Sequence, residues 1–110
     1  VGCPVQGKII VIVEFRTHKL RKQYEDHREA ERTYEAAVAR KYIERINIIK
    51  QSRNIEELRK LPRLDCHPLK GDRKREWAIK LTGFYRLIFT LKGECLEIAH
   101  IEEVSKHYGD

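Results

Sequence analysis

The spacing of apolar positions changes twice along this chain. Residues 9–15 (IIVIVEF) are a β-branched and aromatic run, the composition of a short strand. Thr17 follows, with its hydroxyl placed to cap a first helical stretch over 18–24. From residue 27 to about 51, Ala30, Tyr34, Val38, Tyr42 and Ile46 step by four. Ala37, Ile43 and Ile49 widen that stripe, and Arg28, Arg32, Glu35, Arg40, Lys41, Glu44 and Arg45 fill the other side, which predicts one long amphipathic helix. Asn54 is placed to cap a short turn over 55–61, and Pro62, lacking an N–H and fixed in φ, stops it.

Beyond Pro62 the period falls to two. Trp77, Ile79 and Leu81 alternate with Ala78 and Lys80, a turn at 82–83 leads into a nearly continuous strand over 84–91, and a second turn at 92–93 precedes a strand over 95–104. The order of elements predicts an α+β fold: a small sandwich in which an N-terminal strand and two helices pack on a C-terminal antiparallel β-meander. Residues 9–110 form that single domain, and residues 1–8, with their Gly-Cys-Pro, read as a loose leader without assigned function. The HPLKGDRKR segment lies between regular elements and reads as a loop.

Composition narrows the classes. A chain of 110 residues is one domain, and 41% hydrophobic with 36% charged residues gives a modest core under an unusually charged surface, which excludes disorder. The formal charge of +6 favours an anionic or acidic partner. Cys3, Cys66 and Cys95 are odd in number and form no CxxC pair, so neither a disulfide framework nor a zinc site is expected, and a reducing cytoplasm fits. The apolar run at 9–13 is far below the ~20 residues that span a bilayer, and no membrane partner is expected. The charge is also divided. Residues 63–92 hold eight bases and three acids, whereas residues 93–110 hold one base and five acids.

The segment His67-Pro68-Leu69-Lys70-Gly71-Asp72-Arg73-Lys74-Arg75-Glu76-Trp77, followed by Tyr85-Arg86-Leu87-Ile88-Phe89 and ending in His107-Tyr108-Gly109, resembles the RelE/ParE superfamily of toxins from type II toxin–antitoxin systems, in its HigB-like branch. The resemblance implies a ribosome-dependent endoribonuclease that cuts messenger RNA in the decoding site, needs no cofactor or metal, and is held inactive by a cognate antitoxin protein. The related ParE branch implies a non-enzymatic inhibitor of DNA gyrase instead. A catalytically silent RNA- or protein-binding regulator is a third expectation, because the order Asp-Tyr-His usual near the C-terminus is here Lys106-His107-Tyr108.

Metal-free RNA cleavage needs a base for the 2′-OH proton, cations for the charge at phosphorus, and an acid for the leaving oxygen. His67 is the expected base, since nearby Lys70 and Arg73 disfavour its charged form. Lys70 is expected at the phosphate, with Gly71 permitting a turn and close backbone approach. Arg73 would clamp phosphate with its planar fork, while Lys74 and Arg75 add general RNA affinity. Arg86 interrupts an apolar strand in which Phe84, Arg86 and Ile88 share one face. It is expected either to stabilise the transition-state phosphate or to pair with Glu97 or Glu102. His107 and Tyr108 are the expected second acid/base group and base-stacking or proton-donating group. Trp77 and Tyr34 read as core, and His18, His27 and His100 as structural or surface residues.

Overall fold

The computed structural model describes residues 11–71, 75–93 and 98–106. The leader over residues 1–8 lies outside them. β1 (Ile12–Phe15) is followed by α1 (His18–Glu25), which starts where Thr17 Oγ1 accepts from the Leu20 N–H at 3.1 Å, as its position predicts. Four elements then lead back to strand: α2 (His27–Thr33), α3 (Ala36–Gln51), α4 (Ile55–Arg59) and a 3-10 turn over Pro62–Leu64. Asn54 Oδ1 caps α4 by accepting from the Glu57 N–H at 3.1 Å.

The single helix expected over 27–51 is two. Tyr34 is extended, with φ −118° and ψ 162°, and its N–H closes α2 on the Ala30 carbonyl at 2.8 Å. The cause lies in the spacing itself. Four residues turn an α-helix by about 400°, so a stripe stepping by four drifts about 40° each time and roughly 160° between Ala30 and Ile46. A continuous helix would carry one end of the stripe away from the core; the break resets it, leaving Ala30, Tyr42 and Ile46 all fully buried. Two assignments within the stripe also change. Ala37 is exposed, and Arg45, placed on the polar side by its spacing, is only 4% exposed, its Nε donating to the Lys80 carbonyl at 3.1 Å and its Nη1 to the Glu44 carboxylate.

The sheet comprises β1, β2 (His67–Pro68), β3 (Glu76–Lys80), β4 (Tyr85–Lys92) and β5 (Ile98–Lys106), in the order β1-β5-β4-β3-β2. β3, β4 and β5 form the expected antiparallel meander, and β1 joins it parallel to β5. The reading of residues 67–68 as loop is corrected: they pair antiparallel with β3, and the Leu69 N–H continues the ladder to the Glu76 carbonyl at 2.8 Å. Pro68 is tolerated because β2 is an edge strand. The β4–β5 register shifts between Ile88, opposite Glu103, and Phe89, opposite Ile101, a bulge that leaves Glu102 out of the pairing. Val38, Tyr42, Ile46 and Ile49 of α3 pack with Ile79, Leu87, Phe89, Ala99 and Ile101 of the sheet to form the core. The strand alternation turns His67, Lys80, Arg86, Thr90 and His100 to the opposite, outer face.

Candidate functional site

His67 reaches the outer face because its neighbours are anchored. Leu64 and Cys66 are buried, while Asp65 and His67 between and beyond them are exposed. Asp65 adopts the left-handed conformation (φ 46°, ψ 47°), which directs its carbonyl to the imidazole: His67 Nδ1 lies 2.8 Å from the Asp65 oxygen. A carbonyl only accepts, so Nδ1 is the donor, and in the neutral ring Nε2 keeps its lone pair. This is the tautomer a proton acceptor requires. Cys66 is no competitor as nucleophile, since burial pushes its thiol up to about 12.

One strand further in, Lys80 and Arg86 stand directly opposite each other on β3 and β4. Like charges facing each other across a pair are unfavourable, and neither forms an ion pair among the described residues. The alternative of an Arg86–Glu102 pair is not realised. Glu102 accepts from Thr90 Oγ1 at 3.0 Å and lies 3.7 Å from His100 Nε2, whereas Arg86 Nη1 donates to the carbonyls of Thr82 at 2.8 Å and Tyr85 at 3.1 Å. Glu97, the other expected partner, lies outside the described residues. His67 is opposite Ala78, two positions before Lys80 on the same face, so His67 and Lys80 are diagonal neighbours at about 7–8 Å between Cα atoms. Ala78 and Ile88 form a buried floor beside these three polar side chains.

Lys80 is a candidate that sequence reading left out of the site. It lies between the His67–Trp77 segment and the Tyr85–Phe89 run, and only strand register places it against Arg86. Lys70 and Arg75 are exposed at the other end of β3, with Gly71 at φ +71° providing the expected turn. Arg73, Lys74, His107 and Tyr108 lie outside the described residues. At the far edge of the sheet, His100 Nδ1 and Lys92 Nζ contact Glu14 Oε1 at 2.7 and 3.3 Å, a cluster that links β1, β4 and β5. The hydrogen bond from His100, then that from Lys92, holds the Glu14 carboxyl below its ordinary range. The outer face is thus cationic on its β2–β4 side and carries carboxylates along β1 and β5. No group of His, Cys, Asp and Glu among the described residues could hold a metal ion.

A family model for the RelE-like toxin of the type II toxin–antitoxin system HigB matches residues 13–102. The chain belongs to this HigB-like toxin family. The match spans His67, Lys70, Lys80 and Arg86 and ends before His107 and Tyr108. Solved structures share the fold of this HigB-like chain. A YoeB/ParE toxin from Agrobacterium tumefaciens is 22% identical with a TM-score of 0.53, covering 89% of this chain and 100% of that one. A YafQ mutant from E. coli is 16% identical with a TM-score of 0.55, covering 90% and 99%. A mutant toxin from Helicobacter pylori is 16% identical with a TM-score of 0.52, covering 89% and 96%. No curated protein matches the sequence. The expected RelE-like α+β architecture is therefore the one found, and no helix among the described residues is long and apolar enough to cross a membrane.

Proposed function

We propose that this HigB-like toxin is a ribosome-dependent endoribonuclease that cuts messenger RNA without a metal. The observation that carries the reading is the juxtaposition of His67, its Nδ1 tied to a carbonyl, with Lys80 and Arg86, two cations without an ion pair among the described residues, on one sheet face. Nε2 of His67 takes the proton of a ribose 2′-OH, and the 2′-oxygen attacks the adjacent phosphorus. Lys80 and Arg86 carry the extra negative charge of the pentacoordinate phosphorus. The P–O5′ bond then breaks, a 2′,3′-cyclic phosphate forms, and the 5′-oxygen takes a proton from an acid, the role expected of His107 or Tyr108. Lys70, Arg73, Lys74 and Arg75 bind phosphates along the path of the RNA. In the cell, a cytoplasmic antitoxin would bind the toxin and hold it inactive.

The test is cleavage of a defined transcript on purified ribosomes, beside a gyrase supercoiling assay. Cut products ending in 2′,3′-cyclic phosphate or 3′-phosphate, formed with or without a chelator that leaves ribosomes intact, are the expected result. Products with 3′-hydroxyl ends would overturn the mechanism, and gyrase inhibition without RNA cleavage would overturn the nuclease reading.

A further inference from the structure

Phe84, at the tip of the β3–β4 hairpin, is 62% exposed, a large aromatic side chain where turns ordinarily carry small polar residues. The tip that presents it is firmly held. The N–H groups of Leu81 and Thr82 donate to the Tyr85 carbonyl at 3.0 and 3.3 Å, Arg86 grips the carbonyls of Thr82 and Tyr85, and Arg45 holds the Lys80 carbonyl from the core side. Beside Phe84 the space is open, since a Cβ added at Gly83 would meet nothing within 4 Å. Phe84 lines a groove of about 350 Å³ with Thr82, Tyr85, Lys106 and Glu35. The Lys106 ammonium lies 6.0 Å from the Tyr85 ring centroid. Glu35 sits at the N-cap of α3 without capping it, and its exposed carboxylate makes no ion pair among the described residues.

We infer that this groove is a nucleobase pocket selective for guanine, with Phe84 as the stacking platform and Glu35 as the reader of the base edge. The inference rests on the RNA reading above. An exposed ring on a firmly held tip, two residues before Arg86, suits a base that stacks at the hairpin end while its phosphate reaches Arg86, whose guanidinium already lies against the hairpin carbonyls. The carboxylate then selects among bases. Guanine presents N1–H and N2–H side by side, two parallel donors that match the two oxygens of a carboxylate. Adenine and cytosine offer one amine beside a ring nitrogen that repels the carboxylate, and uracil offers one N–H between two carbonyls. Glu35 therefore favours guanine and disfavours the other three.

The experiment uses short, uncleavable 2′-O-methyl RNA oligonucleotides that differ at one position (G, inosine, A, C or U), with binding followed by fluorescence anisotropy. Wild-type protein should bind the G oligonucleotide most tightly and inosine, which lacks the N2 amine, less well. Phe84→Ala should weaken all five by about 10-fold, whereas Phe84→Trp retains binding. Glu35→Gln should erase the preference for G while leaving the other oligonucleotides within about 2-fold. Both side chains are exposed, and Glu35 makes no side-chain cap bond, so melting midpoints should not move. Failure of wild-type protein to bind, equal affinity for all five bases, unchanged binding by Phe84→Ala, or a Phe84→Ala defect confined to antitoxin binding each overturns the pocket. Guanine selectivity without cleavage on ribosomes would sink only the nuclease reading; cleavage without base preference would sink only the pocket.

Discussion

At the outer face, His67 and Arg86 should fail differently when removed. His67 is exposed and its only described partners are the carbonyl and the more distant carboxylate of Asp65, so His67→Ala should keep its melting midpoint. Single-turnover cleavage should nevertheless fall by roughly 10²–10⁴-fold, the range for loss of a general base. Cleavage within a few-fold of wild type would exclude His67 as the base. Arg86 is half-buried and bonded to two hairpin carbonyls, so its removal has a structural component, but among the described residues it leaves no carboxylate partner stranded. Arg86→Ala should therefore cost about 1–2 kcal/mol, since solvent can reach the freed carbonyls. Cleavage per folded molecule should drop by roughly 10²–10³-fold, as expected when one preorganised charge-stabilising group is lost. A large fall in stability with normal activity per folded molecule would make Arg86 purely a hairpin strap.

Among the elements, the α2–α3 break carries its own polar lock. Gln23 is 2% exposed, accepts from the Tyr34 hydroxyl at 3.0 Å and donates to Thr33 Oγ1 at 3.1 Å. Burial, the leading influence on Tyr34, raises its phenol above the ordinary value and keeps it a donor. Tyr34→Phe leaves the Gln23 oxygen unsatisfied in a buried place, and urea denaturation should show a loss of about 1–3 kcal/mol. No change in the denaturation midpoint would show that the lock does not hold the break. This break was hidden from periodicity, which registers that apolar residues recur but not that the stripe drifts around the helix. The meander, α1 and its Thr17 cap, and the Asn54 cap were legible because each depends on residues close in sequence. β2 was hidden by Pro68, which argues against a strand unless that strand is known to lie at an edge. Lys80 and the parallel β1–β5 pairing were hidden for the same kind of reason: opposition across strands is a long-range property. For the site, the HPLKG motif and the interrupted strand around Arg86 were visible locally, whereas the carbonyl that sets the His67 tautomer depends on the left-handed backbone of Asp65.

Across the whole molecule, the divided charge of the sequence becomes a divided sheet face, and its acidic edge is also where β1 is fastened. β1 contributes four residues in parallel pairing with β5, and Glu14 from that strand is contacted by His100 of β5 and Lys92 of β4. These contacts lower the Glu14 pKa from 4.5, with the His100 hydrogen bond as the largest cause. A carboxyl whose folded pKa lies below its unfolded one contributes stability that is fully present above the unfolded value and is lost as pH falls through the folded value. Glu14→Gln should therefore melt below wild type at pH 7, and the two curves should converge as pH is lowered below 4.5. With Glu14 about half exposed, solvent and salt screen these contacts, so the difference at pH 7 should be small and shrink further at high ionic strength. Its location is the more telling readout. Amide exchange in wild-type protein should accelerate on acidification first in β1, where the link is lost, while β3 and β4 remain protected until global unfolding. A Glu14→Gln difference of constant size from pH 7 to pH 3, or exchange that accelerates uniformly across the sheet, would show that this cluster does not fasten the edge strand.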